Sequence, residues 1–458
     1  MTKIINSFVI FMLLVSFWTE QLSGQVVSSF GKMEEDIVNN IIKTSFPSDT
    51  LSVVSVGAVG DGISDCRGAI ENAIETISNT GGGVVLIPQG NFYCKGPISL
   101  RSNINLHLTT GAKLLFSPHP EDFLPAVFTR WEGIEIYNYS PMIYTIGQEN
   151  IAITGDGIIS GNAKHEWTKI LTQKGKANNL VREYGDMQVP VKERIFGEGD
   201  YLRPSMIQFI NCKKILIEDI TIDDSPFWML HPVYCSDIII RNVKFNSEII
   251  NNDGIDIDSS TDCLIENCTF ITGDDAIAFK AGRDRDGRKV NKPTRNIVVR
   301  NCIAPKVLHG IAFGSEISAG IENIFIRNFH LGKVKEEAIQ FKSNKDRGGY
   351  LRNIYIKDVS VDSVGARLFY FTNSYFLYRG GNEPSLFSDI IIQNVNCLRA
   401  NCVFYLQGLP EMPLRNLRFK NINVKIATEQ FGKKEYYENL QFERIQINRR
   451  RLTLPLKD

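Results

Sequence analysis

Ile215-Leu216-Ile217-Glu218-Asp219-Ile220 returns 23 residues later as Ile238-Ile239-Ile240-Arg241-Asn242-Val243, and then as Cys263-Leu264-Ile265-Glu266-Asn267-Cys268. The same pattern of two alternating apolar residues, then Asn or Asp, then a further apolar residue continues along the chain. It recurs at Ile297-Val299-Cys302, Ile324-Ile326-Phe329 and Ile354-Ile356-Val359, and then at Ile390-Ile392-Val395, Leu417-Phe419-Ile422 and Leu440-Phe442-Ile445. The steps run from 23 to 36 residues. Alternation of apolar residues indicates strands with one buried face. A repeat of this length without a sustained helical period makes each unit one coil of a solenoid, with loops inserted where the step lengthens. A sandwich or propeller would pair its strands as hairpins with turn signals between neighbours. Like segments recurring once per coil favour parallel stacking instead. The expected fold is all-β, a right-handed parallel β-helix.

The amino-terminal part departs from this pattern. Asp65 is placed to cap a helix whose apolar stripe is Ala69, Ile70, Ala73, Ile74 and Ile77, stopped by Gly81, Gly82 and Gly83. A solenoid needs its open end covered, and this helix is expected to be the cover. Residues 164–201 break the repeat, are rich in charge, and are expected to form a long loop over the stack. Further upstream, Lys3 followed by the apolar run Phe8 to Trp18 and small residues at Ser23 and Gly24 reads as an export signal over residues 1–24. Residues 25–458 would then form one catalytic domain in the periplasm or outside the cell. No other segment is long and apolar enough to span a membrane.

Composition narrows the partners. Lys plus Arg and Asp plus Glu both number 51, so the formal charge is zero and nothing in bulk favours nucleic acid or an anionic membrane. An acidic substrate would have to be held by locally placed Lys and Arg. The nine Cys are an odd number and several fall on repeat positions, as small buried hydrophobes do. No Cys or His spacing resembles a zinc site, and no cofactor is expected.

A second repeat runs through the middle coils: Asp253-Gly254-Ile255-Asp256-Ile257, Asp275-Ala276-Ile277-Ala278-Phe279, His309-Gly310-Ile311-Ala312-Phe313 and Glu337-Ala338-Ile339-Gln340-Phe341. Equivalent strands in successive coils would stack these residues about 4.8 Å apart. Ile255, Ile277, Ile311 and Ile339 would face inward. Gly254, Ala276, Gly310 and Ala338 would form one outward row, Asp256, Ala278, Ala312 and Gln340 a second, and Asp258, Lys280, Gly314 and Lys342 a third. The face around Gly310, Ala312 and Gly314 would then be nearly bare, with Asp253, Asp275 and His309 along one edge and Lys280 and Lys342 nearby. Asp274 precedes Asp275 and should point elsewhere. Repulsion within such a carboxylate cluster raises at least one pKa, which suits a general acid. Glycosidic bond hydrolysis needs that acid and a second carboxylate to activate water or attack carbon, and nearby cations suit a uronic acid. Singly, each residue has a blander reading. Asp253-Gly254 is a common turn, clustered Asp residues also bind calcium, His309 would be structural and the lysines solvated. Convergence on neighbouring coils favours the site.

These residues resemble glycoside hydrolase family 28, the polygalacturonase family, over most of the chain after the signal. Asn251-Asn252-Asp253-Gly254 is similar to its Asn-Thr-Asp segment and Gly273-Asp274-Asp275 to its Asp-Asp segment. His309-Gly310 is similar to its Gly-His-Gly segment, with Leu308 in place of the first Gly. Gly57 to Gly62, Arg130-Trp131-Glu132-Gly133 and Ser225-Pro226-Phe227-Trp228 resemble bacterial members. The resemblance implies metal-free, inverting hydrolysis of galacturonate-containing pectic glycan. Asp274 would be the acid, Asp253 and Asp275 would share the water, and His309 would tune the acid or orient the sugar. An acid–base separation of roughly 6.5–9.5 Å is then expected. Asn251, Lys280 and Lys342 are candidate sugar ligands. Gln340 stands where the family has Arg, which removes a bidentate carboxylate partner and points to a neutral sugar such as rhamnose in one neighbouring subsite. The 164–201 loop, with Tyr137 and Tyr139, would close one end of the cleft and favour release of single residues. The competing readings are a β-helix lyase, which needs calcium and a base, and a non-catalytic carbohydrate-binding or adhesin β-helix.

Overall fold

The computed structural model describes residues 30–164, 166–169 and 176–452, so the expected signal at 1–24 lies outside the described residues. The chain winds into a right-handed parallel β-helix. Ile215, Ile238, Cys263, Ile297, Ile324, Ile354, Ile390, Leu417 and Leu440 are paired in that order, coil upon coil. The expected register is therefore the observed one. The Asn or Asp of the repeat marks the corner. Asp219, Asn242, Asn267, Asn301, Asn328, Asp358, Asn394 and Asn421 all have left-handed backbone, which these short polar side chains tolerate. Their side chains also join successive coils. Asn328 donates to Asn301 at 2.8 Å and Asn421 to Asn394 at 2.8 Å, so the turn is secured along the stack as well as within it.

Inside, identical residue types stack on one another. Phe279, Phe313, Phe341 and Phe371 form a column with ring centroids 4.8, 4.4 and 4.2 Å apart, all fully buried. All nine Cys are free thiols and buried among these apolar residues. The helix Arg67–Asn79 covers the amino-terminal end of the core with Ile70, Ala73, Ile74 and Ile77. Its cap residue is Cys66 rather than Asp65. Asp65 sits one position earlier, where its carboxylate accepts from the backbone N–H groups of both Arg67 and Lys95 and so ties the cap to the first coils.

Two features differ from the sequence expectation. First, residues 30–40 form a helix laid along the outside of the solenoid. Ile37 and Ile41 cover an outward row made by Ile239, Leu264, Val298, Phe325 and Tyr355, and Glu34 pairs with Arg327. Second, the 164–201 segment is not a plain loop. It contains the helices Glu166–Lys169 and Lys176–Asp186 and packs on the antiparallel hairpin Val127–Trp131/Ile134–Asn138. Ala177 and Val181 join Trp131, Ile134, Phe196, Phe227 and Trp228 in a small core of their own. The segment can fold this way because Ala177, Leu180, Val181 and Tyr184 repeat at helical spacing. Among the described residues no helix is long and apolar enough to cross a membrane.

Candidate active site

The strands Ile255–Asp258, Asp275–Lys280, His309–Gly314 and Glu337–Lys342 lie side by side in the expected register, Asp275 opposite His309 and Gly314 opposite Lys342. The row Gly254, Ala276, Gly310 and Ala338, expected to face outward, faces the core. Ala276 and Ala338 belong to the core, and a Cβ on Gly310 would sit 2.3 Å from the Ala338 carbonyl and 2.9 Å from Leu331. The chain turns a corner here, so two successive residues point inward and strict alternation fails. That same turn sends Asp253, Asp275, His309 and Glu337 to the outside.

The outward face is not bare either. Gln340 and Lys342 fold back across the intervening coil, where Ala312 and Gly314 leave room, and reach Asp275 two coils away. Gln340 Nε2 donates to Asp275 Oδ1 at 2.7 Å, and Lys342 Nζ lies 3.3 Å from Oδ2. Small residues on one coil thus permit long side chains on the next to grip the carboxylate. Burial alone would raise the Asp275 pKa, but Lys342, His309 and Lys280 together outweigh it and hold this carboxyl below its ordinary range. Asp253 has no such partner among the described residues. Burial and the charges of Asp256, Asp274 and Asp275 push it well above the carboxylate range. Asp274 is also raised, by burial and then by Asp275.

Asp274 remains 17% exposed at the cleft floor, where Asn251 Nδ2 donates to its Oδ2 at 3.3 Å and His309 Nε2 stands 3.7 Å from its Oδ1. The other ring nitrogen of His309 is 3.0 Å from a Glu337 carboxylate oxygen, and Glu337 in turn pairs with Arg367. Burial would raise Glu337, but the His309 and Arg367 contacts keep it low. Lys280 is buried rather than solvated. Its ammonium lies 3.6 Å from Asp256 and 3.3 Å from Glu316, over the Trp228 ring. Asp253, Asp274, Asp275, His309, Asn251, Lys280, Gln340 and Lys342 all line one cleft of about 660 Å³.

The chain matches the profile of glycosyl hydrolases family 28 over residues 192–441. It belongs to that family. Residues 50–107 match a second profile, rhamnogalacturonase A/epimerase, pectate lyase-like. The chain is 28% identical over 397 residues to a probable polygalacturonase of Vitis vinifera, covering 82% of this chain and 74% of that protein. It is 24% identical to the exo-poly-alpha-D-galacturonosidase of Dickeya chrysanthemi, covering 82% of this chain and 66% of that one. The crystal structure of a hyperthermoactive exopolygalacturonase from Thermotoga maritima superposes with a TM-score of 0.81 at 35% identity, covering 90% of this chain and 96% of that one.

This family 28 chain is a glycoside hydrolase, and its cleft contains parts that the sequence reading passed over. Arg203, Arg283, Glu316, Glu337 and Arg367 line it, as do Trp131, Trp228 and Tyr375. Glu337 was already visible as the fourth member of the Asp-Asp-His-Glu column. Arg367 extends that column, paired opposite Glu337, whereas the others come from segments between repeats, where no period marks them. Tyr137 and Tyr139 do not close the cleft. Tyr139 is buried edge-on against Trp167, and Tyr137 packs on Phe128. Asn178, Asn179, Arg182 and Tyr201 form that wall instead, with Tyr375, Phe376 and Leu377 also lining the cleft.

An oxygen of Asp274 and one of Asp275 lie within 4.8 Å of each other, closer than the expected acid–base separation. Consecutive residues have Cα atoms only about 3.8 Å apart, which limits how far their carboxyls can diverge. The spacing of this pair does not itself select inversion. With His309, the same residues also form a metal-like group of donors. Calcium, however, takes 6–8 oxygen ligands, whereas Asp275 is already engaged by an ammonium and an amide.

Proposed function

We propose that this hydrolase removes galacturonic acid from the chain ends of pectic galacturonan by an inverting displacement. The observation that supports this most directly is the electrostatic division within one carboxylate cluster. Asp274 is partly exposed and biased towards its protonated form, while Asp275 is held anionic two coils from Lys342. Asp274 would protonate the leaving oxygen. Asp275 would deprotonate the attacking water, and Asp253, whose carboxyl is pushed up, would help to hold it. His309, oriented by Glu337, would keep Asp274 in place, and Asn251 and Lys342 would contact the sugars. Lys280 would bias the floor of the cleft through its charge rather than by direct contact. End-directed action is supported by the walls from the 176–203 and 375–377 segments, and by likeness to proteins named for exo cleavage.

Oligogalacturonides followed by chromatography and proton NMR test each part. The expected products are single galacturonate from the first minutes, with inverted anomeric configuration. Mid-chain fragments would refute end-directed action, and retained configuration would refute inversion. An ultraviolet-absorbing unsaturated product would reveal a lyase.

Two narrower readings go with this proposal. Gln340 carries no charge and spends an amide hydrogen on Asp275, which supports a neutral sugar such as rhamnose in one neighbouring subsite. A strong preference for plain oligogalacturonides over rhamnogalacturonan fragments ending in galacturonate would overturn it. Export is supported by the 1–24 signal pattern and is checked by amino-terminal sequencing of protein recovered outside the cytoplasm.

A further inference from the structure

Arg203 stands apart from every other buried cation in the described chain. Each of the other buried Arg and Lys side chains has a carboxylate within 4.0 Å, as in Arg130 with Asp258 at 3.3 Å, Arg194 with Asp286 at 2.8 Å and Lys280 with Glu316 at 3.3 Å. Arg203 is only 5% exposed and has none among the described residues. Its Nη1 donates to the carbonyls of Pro226 and Ile250, and its Nη2 donates to Asn251 Oδ1 at 2.8 Å. A guanidinium has five N–H donors, so one on Nε and one on Nη2 have no acceptor among the described residues. Those two form the edge of the fork that fits a carboxylate. Arg203 lines the cleft, and the Phe227 ring lies 5.1 Å away across the guanidinium.

A buried cation without a counter-ion is costly unless a ligand supplies one. The cleft places this one opportunely. Arg203 contacts Asn251, two residues before Asp253, on the amino-terminal flank of the aspartates. Lys342 reaches Asp275 from the carboxy-terminal flank. A galacturonate unit on the amino-terminal side of Asp274 would therefore meet a cation that lies apart from the Gln340 and Lys342 side, where a neutral neighbour is proposed. We infer that Arg203 is the carboxylate anchor for the galacturonate unit on the amino-terminal side of Asp274, a charge contributed from outside the repeat in a chain that has Gln at position 340. This rests on the galacturonan reading above.

The rival is a purely positioning role, in which Arg203 holds Asn251 and Asn251 holds Asp274. Inhibition of oligogalacturonide hydrolysis by free galacturonic acid and by free galactose separates the two, because these sugars differ in the carboxylate. In Arg203→Gln the inhibition constant for galacturonate is expected to rise by about 30-fold, the scale of a lost charge-assisted pair, while that for galactose stays within twofold. Equal changes for both sugars, or an unchanged galacturonate constant with a displaced pH profile, would overturn the anchor and leave the positioning role. A crystal of the unmutated enzyme soaked with galacturonic acid gives a readout independent of variant folding. The sugar carboxylate should lie within hydrogen-bond distance of Arg203 Nε and Nη2, and a carboxylate seated only on Lys342 would overturn the inference. If the unmutated protein neither hydrolyses oligogalacturonides nor binds galacturonate, the functional reading fails and takes this inference with it. Hydrolysis with the carboxylate elsewhere defeats the inference alone.

Discussion

Replacing Lys342 by Met removes the counter-ion of a buried carboxylate while preserving most of the side-chain length. The ammonium is 3.3 Å from Asp275 Oδ2, and both side chains are buried. At that distance and an effective dielectric of about 20, the attraction is about 5 kcal/mol. Gln340 still donates to Oδ1 and Lys280 still contributes its field, so the Asp275 pKa is expected to rise by less than the whole of that attraction. In wild type the depressed Asp275 pKa stabilises the fold above the unfolded value, and this is lost as pH falls through the folded pKa. In Lys342→Met the ammonium no longer offsets burial, so the folded pKa rises, Asp275 stabilises the fold less at neutral pH, and the deficit against wild type shrinks as the solution is acidified. Urea unfolding should show a loss of about 3–5 kcal/mol near pH 7 and a smaller one near pH 4. In the pH profile of kcat/KM on oligogalacturonide, the acidic limb should move to higher pH, so that activity lost at low pH partly returns at higher pH. A uniform fall in kcat/KM with the limb in its original place would refute this reasoning and leave Lys342 as a sugar ligand only.

Three further outcomes are expected. Asp274→Asn should lower kcat by about 10³-fold with an unchanged circular dichroism spectrum. Because the Asp274 pKa is raised in the fold, removing its charge should leave the melting temperature at pH 7 equal or higher, and a clear fall would contradict its protonated bias. Glu337→Gln keeps an acceptor for His309 but removes the charge, and should lower kcat by about tenfold with KM within twofold. Phe313→Ala opens the middle of the aromatic column and should cost about 3–5 kcal/mol in urea unfolding at unchanged m-value, whereas a cost under 1 kcal/mol would mean the column carries little stability.

The sequence was informative wherever the solenoid's own period was the signal. The pairing of Ile277 with Ile311 and Gly314 with Lys342 followed from aligning like with like. The inward turn of Gly254, Ala276, Gly310 and Ala338 did not, because strict alternation assumes a straight strand and these residues sit on a corner. The outer helix was hidden for a related reason. Leu216, Ile239, Leu264, Val298 and Phe325 lie between two inward apolar residues, and three apolar residues in succession mean that both faces are covered. That signal was present in Ile238-Ile239-Ile240 and would have called for a covering element. Arg203 and Arg182 had no such marker. Arg203 bonds to Asn251 and Arg182 to Asp284, partners 48 and 102 residues away, and one chain read alone offers no spacing rule for contacts of that kind.

The irregular coil lengths carry the remaining information. A solenoid of equal coils would present flat sides, and a flat side offers a sugar chain no end. The step from Cys263 to Ile297 is 34 residues long and includes the helix Asp284–Val290. The step from Ile354 to Ile390, at 36, includes the 375–377 wall. The 164–201 segment is a third addition. One side chain joins all three. Arg182 donates to Asp284 at 2.8 Å, lies 3.3 Å from Asp346 and donates to the Leu377 carbonyl at 2.9 Å. Asp346 in turn accepts from the backbone N–H groups of Arg379 and Gly381 at 2.8 Å. Buried ion pairs lose far more when one partner is removed than they contribute as a pair, so these walls are coupled to one another as well as to the coils beneath them. The stacked strands set the spacing of the aspartates, and the lengthened coils determine how a polysaccharide can approach them.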